Sequence, residues 1–165
     1  MKNLLLIRHA KSSWDEPGLE DRERPLSDRG IKDVAQMANV LKSYNINFDK
    51  ILCSGAMRAR MTIEIMNETL KLDPQKIEFM DELYNASRRD ILNLLKQLDD
   101  ELMTVAIVGH NPGLTDLANF LLYDFEYELP TCGMVFIELD VNKWSELKSG
   151  TGILKFYEYP KKHKP

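Results

Sequence analysis

Short apolar runs alternate along this chain with segments in which apolar residues recur every three or four positions. The runs predict buried strands, and the recurring positions predict amphipathic helices. The predicted strands span residues 4–7, 48–53, 76–80, 102–108, 134–139 and 153–159. Alternating strands and helices predict an α/β fold: a three-layer sandwich in which a mostly parallel central sheet carries helices on both faces.

Local signals mark where four predicted helices begin. Ser27 and Ser87 stand where N-cap residues are favoured, the latter with an acidic residue three positions on. A further helix follows Gly55, and Pro112 stands where the first turn of the fourth helix tolerates proline. The helix after Gly55 has a predicted apolar face made of Met57, Met61, Ile65 and Leu70.

Length and composition narrow the class of protein. The chain has 165 residues, of which 44% are hydrophobic and 29% charged, so we expect one globular domain over residues 1–165. A net charge of -4 argues against nucleic-acid binding. The apolar runs are shorter than the roughly 20 residues of a transmembrane helix, and no signal-peptide pattern opens the chain, so we expect no membrane partner and a cytoplasmic location. The two cysteines, Cys53 and Cys132, match no metal-binding or redox spacing.

Histidine and arginine side chains follow three of the predicted strands directly. The first strand runs into Arg8 and His9, the second into a helix that bears Arg58, and the fourth into His110. Ligands of open α/β sheets bind at the carboxyl ends of the strands, so we expect these side chains to meet. A single histidine after a strand more often caps or hydrogen-bonds than catalyses, whereas two with arginines beside them favour a catalytic site. The third histidine, His163, lies in a basic tail and is given no role.

These residue types suit the binding and transfer of a phosphoryl group. Arginine donates through a planar fork that fits a tetrahedral oxyanion, and it keeps its charge. Neutral imidazole is a nucleophile at pH 7 because its ordinary pKa is about 6.5. We therefore expect one histidine to attack phosphorus while the other, protonated, neutralises charge on the transferred group. Helices that begin near Ala56 and Pro112 would aim free N–H groups at the same place.

Three segments around these residues resemble motifs of the histidine phosphatase superfamily, which includes the cofactor-dependent phosphoglycerate mutases. They are LIRHAKSSW at 6–14, SGAMRARMT at 54–62 and VGHNPGL at 108–114. The chain is more similar still to the short SixA-type phosphohistidine phosphatases. That similarity adds DRERPLSDRG at 21–30, the pair Leu83 and Tyr84, and PTCG at 130–133. The resemblance covers about residues 3 to 160 and implies a phosphoglycerate mutase-like fold.

The resemblance implies a role for each matched residue. His9 matches the nucleophile that forms a covalent phosphohistidine. Arg8, Arg58 and His110 match the residues that bind the phosphoryl oxygens and stabilise the transition state. Ser12 matches a serine near the phosphate, although a hydrogen bond that fixes its loop explains this residue equally well.

The proton donor of the family has no clear counterpart in this sequence. Asn85 holds the position that is acidic in mutase-like relatives, and an amide cannot supply a proton. Glu82, three residues earlier, is a candidate substitute, although a solvent-exposed carboxylate is the simpler interpretation. Asp15 stands where mutase-like members have an asparagine on the phosphate, and its charge excludes it from the predicted site. A missing acid suits phosphohistidine, whose P–N bond breaks readily, better than an alkyl phosphate, whose leaving alkoxide needs a proton.

The sequence therefore predicts a phosphatase that forms a covalent intermediate on His9 and needs neither metal nor cofactor. The expected substrate is a phosphorylated protein of the histidine-containing phosphotransfer type. One alternative is a phosphomonoesterase acting on a small phosphorylated metabolite, and another is a non-catalytic phosphoprotein binder. Metal binding by His9 and His110 is a weaker alternative because the neighbouring arginines oppose a cation. The sequence predicts no oligomeric state.

Overall fold

Six strands and four helices form the described part of the chain, which is residues 1–164 of a computed structural model. Pro165, the last residue of the predicted domain, lies outside this part. The strands are β1 (Lys2–Arg8), β2 (Lys50–Ser54), β3 (Ile77–Met80), β4 (Thr104–Gly109), β5 (Met134–Leu139) and β6 (Gly152–Glu158). The helices are α1 (Asp28–Ser43), α2 (Met57–Leu70), α3 (Arg88–Lys96) and α4 (Gly113–Leu121). The predicted alternation of strands and helices is confirmed.

The strands form one mixed sheet in the order β3-β2-β4-β1-β5-β6. Its first four strands are parallel, whereas β5 is antiparallel to β1 and β6 is antiparallel to β5. The central strand β4 is buried along its whole length, as expected of a parallel strand covered on both faces. The predicted mostly parallel sheet is confirmed, and the antiparallel β5 is a feature that the apolar pattern does not reveal.

Alternate side chains of β1 enter two hydrophobic cores, one on each face of the sheet. Leu4 and Leu6 pack with side chains of α3 and α4, while Leu5 and Ile7 pack with those of α1 and α2. This alternation follows from the period of two in a strand. The helices on both faces leave the carboxyl ends of the parallel strands as the edge at which polar side chains gather.

The predicted apolar pattern of α2 is confirmed in part, because Met61, Ile65 and Leu70 are partly buried against the core on this face of the sheet. The side chains that α2 buries are Arg58, Ala59, Thr62, Ile63 and Met66, whereas Met57 is 41% exposed. The inner face carries an arginine and a threonine because this helix begins beside the polar edge of the sheet. Apolar periodicity alone does not place those two polar residues on the inner face.

Side-chain caps fix the starts of two helices as predicted. Ser27 accepts a hydrogen bond from the first turn of α1, and Ser87 forms a capping box with Asp90 at the start of α3. Pro112 is the N-cap of α4 rather than a residue of its first turn. None of the helices within residues 1–164 is long and apolar enough to cross a membrane.

Candidate active site

The histidine and arginine side chains that follow β1, β2 and β4 gather at one edge of the sheet. β4 lies between β1 and β2. His110, which follows β4, therefore lies between the Arg8–His9 pair at the end of β1 and Arg58 in the first turn of α2. The ring centroids of His9 and His110 are 5.1 Å apart. The structure thus brings together the four residues to which the sequence assigns phosphate chemistry.

Backbone hydrogen bonds fix the chain at His9. The His9 N–H donates to the carbonyl of Gly109 at 3.1 Å. The N–H of Cys132 donates to the carbonyls of both Arg8 and His9, each at 3.0 Å. Cys132 has a φ of 59°, a left-handed conformation that turns its N–H toward β1. The His9 backbone is consequently tied to β4 on one side and to the segment before β5 on the other.

His9 is held as a neutral imidazole with one free ring nitrogen. Its side chain is buried, and Nδ1 donates to the carbonyl of Ala10 at 2.7 Å. Burial is the main cause of a lowered pKa of about 4 for His9; the hydrogen bond to the Ala10 carbonyl acts to raise this pKa, and the positive charges of Arg58 and Arg8 act to lower it. With Nδ1 protonated, Nε2 keeps its lone pair. That nitrogen is a nucleophile at neutral pH.

In the protein without a bound anion, His110 is a neutral imidazole. Burial lowers its pKa to about 3, and the nearby His9 and Arg58 lower it as well. Its Nε2 lies 2.8 Å from the hydroxyl of Ser54. The Tyr84 ring packs edge-on against its imidazole, at 5.6 Å and 76°. A neutral imidazole can donate one hydrogen bond, and the protonation of His110 beside a bound phosphoryl group stays a prediction.

Two buried nitrogens of the site have no hydrogen-bond partner within residues 1–164. They are Nε of Arg8 and Nδ1 of His110. Arg8 is anchored at its other end, where Nη1 donates to the carbonyl of Leu129 at 2.9 Å. Buried polar nitrogens are almost always paired, so two unpaired ones beside His9 indicate a place for an oxygen-bearing ligand.

Arg58 lies against a carboxylate that the sequence did not assign to the site. Its Nη1 donates to the backbone carbonyl of Asp21 at 2.8 Å, and its Nη2 donates to Oδ2 of the same residue at 3.1 Å. Thr62, one turn later in α2, donates to the Arg58 carbonyl at 2.7 Å and accepts from the Ala10 N–H at 3.0 Å. One threonine hydroxyl thus joins the start of α2 to the segment that carries His9.

The Asp21 carboxylate is held ionised at this edge. Tyr84 donates its hydroxyl to Oδ2 at 2.5 Å, and Arg24 donates to Oδ1 at 2.9 Å. The Tyr84 hydrogen bond is the main cause, with Arg24 and Arg58 adding to it, of a pKa of about 2 for Asp21. The same hydrogen bond raises the pKa of Tyr84. Neither group is therefore a ready proton donor at pH 7.

The other residues that the sequence singled out are Ser12, Glu82, Asn85 and Asp15. The Ser12 hydroxyl accepts a hydrogen bond from Arg24, which is the loop-fixing role that the sequence left open. Glu82 is exposed. Asn85 is exposed with a φ of 58°. Asp15 is exposed as well, in keeping with its exclusion from the site.

His163 and both cysteines have structural surroundings of their own. Nε2 of His163 lies 2.8 Å from a carboxylate oxygen of Glu158. Cys53 and Cys132 are buried, and burial raises the pKa of each thiol. Within the described residues, no cluster of three or more histidine, cysteine, aspartate or glutamate side chains is arranged to hold a metal ion.

Sequence reasoning missed four residues that contact the site: Asp21, Arg24, Ser54 and Tyr84. All four fall inside segments that resemble family motifs, at 21–30, 54–62 and 83–84. For Asp21, Arg24 and Tyr84, this position in a motif is the one signal that the sequence offers. Ser54 also follows the predicted strand at 48–53 directly.

Comparison with known proteins gives a family for this geometry. The model of the histidine phosphatase superfamily (branch 1) matches residues 4–111. An uncharacterised chloroplastic protein of Arabidopsis thaliana is 31% identical over 153 residues, covering 88% of this chain and 70% of that protein. The phosphohistidine phosphatase SixA of Escherichia coli (strain K12) is 28% identical over 111 residues, covering 66% of this chain and 67% of that protein.

A solved structure extends the similarity to nearly the whole fold. The structure of the protein histidine phosphatase SixA complexed with tungstate matches with a TM-score of 0.82 at 25% identity. The match covers 98% of this chain and 99% of that one. The sheet, its helices and the edge that carries His9 and His110 all lie within the shared region. The chain therefore belongs to branch 1 of the histidine phosphatase superfamily, and it is a SixA-like phosphatase that acts on a phosphorylated substrate.

Proposed function

We propose that this phosphatase hydrolyses phosphohistidine in a phosphorylated protein, and that it does so through a phosphohistidine intermediate on His9. The observation that carries the proposal is the pair of buried neutral histidines beside arginines, with the ionised carboxylate of Asp21 hydrogen-bonded to Arg58. Such a site holds a nucleophile and oxyanion ligands. Asp21, which is ionised, and Tyr84, whose pKa is raised, are not ready acids for the leaving group.

In the first step, Nε2 of His9 attacks phosphorus in line with the bond that breaks. A P–N bond forms on His9, and the substrate P–N bond breaks with its electron pair going to the leaving imidazole nitrogen. Arg8 and Arg58 hold the charge on the phosphoryl oxygens, and the Nδ1–H of His110 donates to one of them. Phosphoryl transfer of this kind depends mainly on positioning and electrostatics.

The leaving group distinguishes the proposed substrate from a phosphate monoester. A phosphohistidine ring that carries a proton on its other nitrogen leaves as neutral imidazole, so the enzyme need not donate one. An alkoxide leaving group needs a proton in the transition state. Asp21, with a pKa of about 2, is ionised at pH 7 and cannot supply it. Its carboxylate is instead suited to accept a hydrogen bond from a protonated imidazole.

In the second step, water attacks the phosphoryl group on His9. The P–N bond on His9 breaks, the water oxygen joins phosphorus, and inorganic phosphate and neutral His9 are the products. The Nδ1–H donated to the Ala10 carbonyl at 2.7 Å keeps the ring in one tautomer through both steps. The same oxyanion ligands serve the incoming and the departing phosphoryl group.

A comparison of substrates tests the proposal. We expect a phosphorylated histidine-containing phosphotransfer protein to be turned over with a kcat/KM at least about a hundredfold above that of sugar phosphates, because a missing acid costs a monoester about that much. The measurement is phosphate release from each substrate, with the His9→Ala protein as the blank. Sugar phosphates that match or exceed the phosphoprotein would identify a small-molecule phosphomonoesterase instead.

The pH dependence of the two site histidines is a separate prediction. Because their pKa values are lowered to about 4 and about 3, both rings stay neutral as the pH falls from 8 to about 5. Activity that needs neutral His9 is therefore lost only near pH 4. The check is an NMR titration of the three histidine rings, with circular dichroism to show that the protein stays folded. A ring of His9 or His110 that titrates near its ordinary pKa of about 6.5 contradicts the prediction.

A further inference from the structure

Ser54 joins three parts of the site through one hydroxyl. It is the last residue of β2, its side chain is fully buried, and its Oγ lies 2.8 Å from Nε2 of His110. The same oxygen accepts the N–H of Ala56, the N-cap of α2, at 3.2 Å. The hydroxyl therefore lies between the residue that follows β4 and the start of the helix that carries Arg58.

Hydrogen-bond accounting at Ser54 selects one tautomer of His110. A hydroxyl has one proton to donate, and the Ala56 N–H already uses one of its lone pairs. If Ser54 donates to Nε2, the hydroxyl and Nε2 are both satisfied. The Nδ1–H is then the one group of this pair without a partner within residues 1–164. If His110 donates from Nε2 instead, the Ser54 proton has no acceptor within residues 1–164, and Nδ1 holds a buried lone pair with no donor. The first arrangement leaves fewer buried groups unpaired.

We propose that Ser54 is a positioning residue that donates to Nε2 of His110 and so holds the neutral ring as the Nδ1–H tautomer. This inference rests on the proposed function, in which Nδ1–H of His110 donates to a phosphoryl oxygen. The opposite tautomer would present a lone pair to that oxygen and repel it. The Tyr84 ring, edge-on to His110, limits rotation of the imidazole, so the Ser54 contact decides which nitrogen carries the proton.

The tautomer is measured directly by NMR on protein labelled with ¹⁵N at histidine. The chain has three histidines, so each ring is assigned by comparison with the His9→Ala and His163→Ala proteins. At pH 7 we expect His110 to show a protonated Nδ1 and an unprotonated, hydrogen-bonded Nε2. Addition of inorganic phosphate is expected to shift the Nδ1 resonance of His110. A protonated Nε2 in the wild-type ring overturns the inference without any need of a variant.

Substitution of Ser54 separates positioning from folding. Ser54→Ala is expected to populate the Nε2–H tautomer of His110 and to lower kcat/KM about tenfold. Ser54→Thr keeps the hydroxyl and is expected to restore the Nδ1–H tautomer. Ser87→Ala is the matched control, because it removes the hydroxyl that caps α3 and is expected to leave the His110 tautomer unchanged. An unchanged tautomer in Ser54→Ala contradicts the inference.

The readouts keep this inference distinct from the proposed function. If His110 is the Nδ1–H tautomer but the protein releases no phosphate from phosphohistidine, the role of Ser54 stands and the proposed substrate is wrong. If the protein hydrolyses phosphohistidine while His110 is the Nε2–H tautomer, the proposed substrate stands and the role of Ser54 is wrong.

Discussion

Replacement of His9 by alanine is expected to abolish formation of the phosphoenzyme and to lower turnover by more than about a thousandfold. The reason is that His9 alone at this site combines a neutral ring with a free nitrogen beside the two arginines. Its pKa of about 4 and the Nδ1–H donated to Ala10 keep Nε2 unprotonated at pH 7. Without it, phosphorus has no nucleophile on the protein. Turnover of a phosphorylated phosphotransfer protein and retention of label on the enzyme are measured together.

His163→Ala is the matched control for that experiment. This histidine pairs with Glu158, which is not a residue of the site, and its loss is expected to leave turnover and labelling unchanged. The role of His9 would be lost if the His9→Ala protein kept wild-type turnover. Loss of activity in both variants would point to a general effect on folding, which a thermal melt of each protein detects.

Replacement of Arg58 by alanine is expected to lower kcat/KM by about a hundredfold to a thousandfold. The guanidinium is buried, lies in the first turn of α2 and holds the Asp21 carboxylate. Its removal takes away a phosphoryl ligand and leaves that carboxylate with less positive charge to offset it. A dianionic phosphoryl group then loses its attraction to the Arg58 guanidinium and is repelled more strongly by the Asp21 carboxylate.

Two further variants sharpen the Arg58 experiment. Arg60, in the same helix, stacks on the ring of Phe79, and Arg60→Ala is expected to leave kcat/KM within about twofold of wild type. Arg58→Lys keeps the charge without the planar fork and is expected to recover only part of the activity. An Arg58→Ala protein with unchanged kcat/KM shows that Arg58 serves the loop around Asp21 and not the substrate.

The sheet was predictable from sequence because strands buried on both faces are nearly continuous apolar runs. Residues 102–108 show this most clearly, and β4 spans Thr104–Gly109. The antiparallel direction of β5 was not predictable. The apolar pattern of a strand shows that it is buried, but it does not show whether the strand runs parallel or antiparallel to its neighbour. The burial of Arg58 and Thr62 in α2 was not predictable, because the burial of polar residues at a functional site runs against the apolar pattern.

The site was predictable as far as its residues follow strands. His9 and His110 each come directly after an apolar run, so topology alone brings them to the same edge. Asp21 and Tyr84 reach that edge from a loop and a turn. They are 63 residues apart in the sequence, so their hydrogen bond is seen only in the folded protein. The hydrogen bond between Ser54 and His110 likewise joins two strand ends, and nothing local to either residue marks it.

The covalent intermediate is the central claim, and trapping it tests that claim most directly. Wild-type protein is mixed with a ³²P-phosphorylated histidine-containing phosphotransfer protein, quenched in alkali within one turnover, and mapped by mass spectrometry. We predict an alkali-stable, acid-labile phosphoryl group on His9, which appears before free phosphate and decays into it. Release of phosphate with no label on the enzyme, or with label on another residue, would contradict the claim.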